Sequence, residues 1–218
     1  SVYVPTEEDQ LREGHVFYNI FVGNEPMQDI HLRRALIHAV DFDKMVEVAY
    51  EGTMERRVGP MPPQIECSLA EDPDYKYQYD PELAKEELAK SEYGSADEVP
   101  KITIMTWTGA ATINKATQIM VEYWRDNLGL TAVDIVEEYG TDDWKDHIQV
   151  LRISGGGPPD AARYLMQQIS SEGYLCRDYH TGCADDEEFS PRILELLQEA
   201  DRMDRDDPAY CDTIQEAL

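Results

Sequence analysis

The chain has 218 residues, 42% hydrophobic and 29% charged, enough to bury one α/β domain or two small ones. Its 45 acidic against 19 basic side chains leave a formal net charge of −26. That balance excludes nucleic acid and anionic lipid as expected partners, since both need basic patches to neutralise phosphate. No apolar run approaches the roughly 18 residues that span a bilayer.

Residues 1–14 are polar and uneven, and read as a leader or linker remnant ahead of a single α/β lobe over 15–218. His15–Val22 carries Val16, Phe17, Tyr18, Ile20 and Phe21, the β-branched and aromatic content of a strand. Asp29 then offers an N-cap to Leu32, Ala35, Leu36, Ala39 and Val40, which recur at the spacing of a core-facing helix. Asp41 stops that helix and caps a second through Met45, Val46 and Ala49, closed by Gly52. Arg56–Tyr79 is proline-rich and aperiodic, which predicts an extended surface loop with few regular hydrogen bonds. Asp80 and Pro81 supply an N-cap and a first-turn proline for a helix through Lys90.

Ile102, Ile104 and Met105 mark a strand ending at Trp107, and Thr108–Thr112 is a loop of small residues. The following helix buries Ile113, Ala116, Met120, Tyr123 and Trp124 and ends at Asn127–Gly129. Strands are expected at Ala132–Glu138 and Ile148–Ser154, with a short helical turn at Asp142–Asp146 between them. Gly155-Gly156-Gly157-Pro158-Pro159 makes a tight turn into a helix that runs toward Ser170. After the irregular Ser171–Glu188, Ser190-Pro191 opens a helix carrying Ile193, Leu194, Leu197 and Ala200, and a last helical run covers Tyr210–Leu218. Strands separated by helices predict an α/β fold, a mixed sheet covered by helices.

The cysteines, Cys67, Cys176, Cys183 and Cys211, are even in number and suit an oxidising compartment. Cys176 and Cys183 can close a small disulfide loop or, with His180, hold part of a zinc site, although no second close pair supplies the remaining ligands. Cys67 and Cys211 are isolated, and spacing does not pair them. His15, His31, His38, His147 and His180 form no ligand cluster, so no metal or other cofactor is expected. The glycine triplet is either a plain strand–helix connection or a loop that lets a ligand approach the backbone. It lacks both the Gly-Lys-Ser/Thr of a phosphate loop and the Gly-x-Gly-x-x-Gly of a dinucleotide site.

Several segments, taken in order, carry a resemblance. Tyr18-Asn19 with Pro26 is followed by the D-x-x-x-R-x-A-x-x-x-A-x-D run from Asp29 to Asp41. Gly52, Gly59-Pro60-Met61-Pro62-Pro63 and Tyr79-Asp80-Pro81-Glu82 with Ala84, Lys85 and Leu88 come next. This series resembles the family 5 extracellular solute-binding proteins, the oligopeptide-, dipeptide- and nickel-binding receptors of ABC importers. The resemblance implies the second lobe of a periplasmic-binding-protein-like (type II) fold, truncated before the return to the first lobe. It implies a peptide or similar small solute as ligand, an ABC permease as membrane partner, the first lobe of the same protein as the other jaw, and a periplasmic or extracellular place, with a lipoprotein anchor as one option.

By the same resemblance, Trp107, Thr108 and Gly109 after one strand, and Ser154, Gly155, Gly156, Gly157 and Asp160 after another, face the ligand cleft. Asn19, Asp29, Arg33, Asp41 and Asp80 are structural, with Arg33 expected to pair with Asp41 or Asp29. The chain departs from the dipeptide receptors, which hold the ligand carboxylate with an arginine in the first loop and its amine with an aspartate in the second. Asp160 stands later, where it can instead cap the helix. Two other classes stay open: a small α/β hydrolase or transferase using Asp160 or Cys183, against which the absence of Gly-x-Ser-x-Gly counts, and an acidic surface interaction domain.

Overall fold

The computed structural model describes residues 15–54, 56, 59, 61–62, 65–69, 78–106, 111–137, 146–155, 158, 160–170, 172–173 and 189–218, with backbone only at 15–17, 111–113, 153–155 and 189–190. The chain divides into two compact units, one of residues 18–56 and 75–152 and the other of residues 1–17, 57–74 and 153–218.

In the first unit, α1 (Ile30–His38) begins where Asp29 accepts a hydrogen bond from the Leu32 amide at 2.8 Å. The second Asp29 oxygen accepts the Glu92 amide at 2.7 Å, so one cap also fastens the start of α1 to the chain beyond α3 (Pro81–Lys90). Burial works against the Asp29 charge, but the amides of Glu92 and Leu32 outweigh it and hold the carboxyl below its ordinary range. The last carbonyls of α1 would otherwise be orphaned. They are satisfied from elsewhere: Trp124 Nε1 donates to Leu36 O at 2.9 Å, the Asp80 amide to His38 O at 2.9 Å, and Asn127 Nδ2 to Ala39 O at 2.7 Å.

Asp41 caps α2 (Phe42–Tyr50) through the Lys44 amide, and Asp80 caps α3 through the Glu82 and Leu83 amides. The exit from α2 turns left-handed one residue before Gly52, at Glu51, with φ 53 against 78 for the glycine. Arg33 donates to the Met27 and Gln28 carbonyls at 2.5 and 3.0 Å, so it pins the approach to α1 through backbone.

The sheet has the order β1-β4-β2-β3, from β1 (His15–Ile20), β2 (Ile102–Met105), β3 (Val133–Val136) and β4 (Val150–Gly155). β2 pairs parallel with β3 and with β4. The Phe21 amide donates to Gln149 O at 3.0 Å, which sets the C-terminal end of β1 beside the start of β4. β1 therefore runs antiparallel and the sheet is mixed. α4 (Ala111–Leu128) is the crossover between β2 and β3, as parallel neighbours require. It ends at Gly129, whose φ of 77 favours a residue without Cβ.

Leu32, Ala35, Leu36, Met45, Ala49, Ala84, Leu88, Ile102, Ile104, Ala116, Met120, Val121, Trp124 and Val150 share one core. Each large aliphatic side chain buried there contributes roughly 1.5–3 kcal/mol.

The second unit packs α5 (Ala161–Gln168) against α6 (Phe189–Ala200), and α6 against α7 (Ala209–Glu216). Its core holds Ala161, Tyr164, Leu165, Leu196, Leu197, Ala200, Tyr210 and Ile214. Met61 and Ile65 join it at 1% and 3% exposure, which corrects, at these two positions, the expectation of a surface loop over Arg56–Tyr79. The prolines deny that stretch periodicity but not burial. Met61 and Ile65 enter the core beside turns in which Ile65 N donates to Pro62 O and Ser68 N to Ile65 O. A Cys67–Cys211 disulfide, across 144 residues of sequence, joins the same stretch to α7. The helical turn expected at Asp142–Asp146 falls mainly outside the described residues, as do Cys176, His180 and Cys183.

Candidate ligand-binding edge

Parallel pairing points β2, β3 and β4 the same way. Ile102–Met105 align with Val133–Val136, while Ile104 and Met105 align with Val150 and Leu151. Beyond β2, Thr106 keeps the register by donating its amide to Val136 O at 2.8 Å, and it is 1% exposed. Thr106 is the last described residue before Trp107 in the chain. Ligands of open α/β sheets are received beyond such carboxyl ends, where backbone groups and loop side chains are left unpaired by the sheet.

Of the residues expected to face a ligand, Trp107, Thr108, Gly109, Gly156 and Gly157 lie outside the described residues. Ser154 and Gly155 are the last two residues of β4. Asp160 is the N-cap of α5, accepting the Arg163 amide at 2.9 Å on one oxygen and the Arg205 guanidinium on the other. Both oxygens are engaged within the second unit. The structural set behaves more uniformly: Asp29, Asp41 and Asp80 are helix caps, and Asn19 lies in β1 with its amide nitrogen buried.

A polar group passed over in the sequence lies within β4, in the part that belongs to the first unit. Arg152 is 4% exposed, and Tyr18 and Tyr50 act on it electrostatically. Burial lowers the affinity of its guanidinium for the proton, and the two tyrosines partly restore it. Tyr18 is pushed up to about 12 by its own burial, although its hydrogen bond with Thr117 Oγ1 at 2.9 Å works the other way. The tyrosines thus stay neutral around a charged arginine at physiological pH. The available signal was a charged residue inside Val150-Leu151-Arg152-Ile153, a strand otherwise apolar on both faces.

Elsewhere a groove of about 300 Å³ runs between α4 and β3, lined by Gln118, Val121, Glu122, Arg125 and Val133–Ile135. It flanks β3 and does not cap the strand's carboxyl end. Among the described residues, no group of His, Cys, Asp or Glu is arranged to hold a metal ion, and no helix is long and apolar enough to cross a membrane.

The family model described as bacterial extracellular solute-binding proteins, family 5 Middle, matches residues 3–174. The chain is 33% identical over 87 residues to heme-binding protein A of Haemophilus influenzae, covering 40% of this chain and 15% of that protein. It is 28% identical over 142 residues to the oligopeptide-binding protein OppA of Bacillus subtilis, covering 63% and 25% respectively. Among solved structures, the periplasmic binding protein DppA of Helicobacter pylori, in complex with peptide STSA, superposes with a TM-score of 0.72 at 19% identity. That match covers 95% of this chain and 39% of the other. The fold is thus that of part of such a binding protein, and the chain spans no more than a quarter of the length of these two curated relatives.

Proposed function

This chain belongs to the family 5 bacterial extracellular solute-binding proteins, and from that premise we propose that it forms most of one jaw of an exported receptor delivering a peptide or similar small solute to an ABC permease. The observation that supports the proposal is the common direction of β2, β3 and β4, whose carboxyl ends point toward one edge of the sheet. Trp107, Thr108 and Gly109 would supply flat apolar area and small-residue access, and Ser154 to Gly157 would offer backbone to the solute. The first lobe of the same protein would be the opposing jaw. Closure follows when the solute binds the closed state more tightly than the open one, by that difference in affinity and no more.

In this role the chain binds and does not catalyse. The wider protein works in the periplasm or outside the cell, with a lipoprotein anchor as one way of staying near its permease. Nucleic acid is not a partner at a net charge of −26.

Calorimetry tests the proposal. The full-length protein should bind a mixture of short peptides, and the 218-residue chain alone should bind the same mixture far more weakly, since it holds only part of the contacts. Submicromolar binding by the isolated chain would contradict the two-jaw mechanism.

A further inference from the structure

Among the described residues, two that are not glycine take a left-handed backbone: Glu51 at the exit of α2, and Cys67 with φ 65. That region crowds a Cβ against the following carbonyl, and cysteine lacks the short amide or carboxylate with which asparagine and aspartate offset the cost. Cys67 sits inside a turn, between an Ile65 amide that donates to Pro62 O at 3.1 Å and a Ser68 amide that donates to Ile65 O at 3.3 Å. Local preference does not hold it there, so its tertiary ties must.

Those ties are of unequal strength. Met61 and Ile65 are anchored in the helical core of the second unit. Glu66 stands 3.8 Å from Arg205 Nε, with both side chains exposed, so water and salt screen that pair. Cys67 is bonded to Cys211, the third residue of α7, and α7 is fixed in turn by Tyr210 and Ile214 at 2% and 0% exposure. The covalent bond is the strongest hold on the turn. Yet both cysteines are only partly buried against the core, within reach of a small thiol. Access, together with a backbone kept out of its preferred region, is the setting in which disulfides exchange readily.

We infer that Cys67–Cys211 is a thiol-exchange site, a clasp that a dithiol reductant opens in the folded protein. A thiolate of the reductant attacks one sulfur, the S–S bond breaks, and the other cysteine leaves as a thiolate that takes up a proton. The second thiol of the reductant then displaces the remaining cysteine, so the protein disulfide becomes two thiols and the dithiol becomes a disulfide. Once open, Cys67 can return to negative φ and the turn loses its tie to α7. The second unit is then held by its apolar core and ion pairs, while the first unit, which has no share in the bond, keeps its stability. The inference stands whichever solute the protein carries.

The test uses the full-length protein in buffer without denaturant, with dithiothreitol as the reductant. Alkylation and peptide mapping read Cys67 and Cys211 apart from the other cysteines. Both should become alkylated while the amides of α1 and α4 keep their protection, and transfer into oxidised glutathione should restore the pair. In the reduced form the amides of Ile65, Ser68 and α7 should exchange about ten-fold faster. In Cys67→Ser/Cys211→Ser they should already be fast, and dithiothreitol should change nothing further. Cys67→Gly/Cys211→Ser and Cys67→Ala/Cys211→Ser separate the backbone from the bond. With the disulfide gone from both, glycine should keep the Ser68 amide about five-fold slower to exchange than alanine does, because only alanine crowds its Cβ there.

A pair that stays closed until denaturant also unfolds α1 and α4 would overturn the inference, since the bond would then be an inert cross-link. An opened pair that leaves Ile65, Ser68 and α7 at their oxidised rates would overturn it too. Equal rates in the glycine and alanine variants would count against it, because the turn would hold no tension for opening to release.

Discussion

The two compact units reach stability by different means. In residues 18–56 and 75–152, α1, α2 and α3 begin on their own aspartates, as α5 does in the other unit, and a core of aliphatic and aromatic side chains draws on α1 to α4 and on β2 and β4. Some long-range hydrogen bonds there finish what the helices started, as when Trp124 and Asn127 satisfy the end of α1. In residues 153–218 with their partner segments the core is smaller among the described residues, and the chain is also tied by a disulfide and by arginines 163, 192 and 205 on carboxylates. Where a core is continuous, cross-links add little. Where it is small, they take over the task of fixing one arrangement.

Substituting Trp124 with Ala should break this contrast most sharply. It empties a 4%-exposed site and strips Leu36 O of its donor, so the loss should be about 3–5 kcal/mol. Denaturant unfolding measures it, and amide exchange should show the loss in α1 and α4 while α5 to α7 keep their protection. The converse experiment removes the disulfide with Cys67→Ser and Cys211→Ser together. The expected cost is about 2–4 kcal/mol, read as faster exchange in α7 and in residues 61–69, with the first unit unchanged. If the double serine variant loosened both units alike, the contrast would fail.

A pH titration sharpens it further. Glu87 takes Lys90 and His31 at 2.7 and 2.8 Å, and these bonds hold its carboxyl at about 2 against an ordinary 4.5, although burial pulls the other way. A carboxyl depressed on folding stabilises the fold above its unfolded value, and the contribution is lost as pH falls toward the folded one. Wild type should therefore exceed Glu87→Gln in stability at pH 6, with the gap narrowing between about pH 4.5 and 2 and confined to α1 and α3. A gap independent of pH would mean that the carboxylate's charge has no part in the link.

What was legible in the sequence follows the same division. The caps at Asp29, Asp41 and Asp80, the proline at the start of α3 and the left-handed glycine after α4 are signals within a few residues of the structure they cause. The order of strands and helices, and so the α/β class, came with them. Cys67 with Cys211, Met61 and Ile65 in a helical core, and Arg205 on Asp160 depend on partners scores of residues away, and no spacing rule reaches that far. Arg33 donates to Met27 O and Gln28 O, backbone partners that charge patterning cannot anticipate. At the candidate edge the residue types were legible, but the use of Asp160 as a cap was only one of two readings that its position allowed.

Photo-crosslinking of the full-length protein with a short peptide bearing a diazirine side chain tests the central claim most directly. If the loops beyond β2 and β4 form this jaw's share of the grip, adducts from this chain will map to residues 107–109 and 154–157 and fade with excess unlabelled peptide. Competable adducts confined to the groove between α4 and β3, or to α6 and α7, would contradict it.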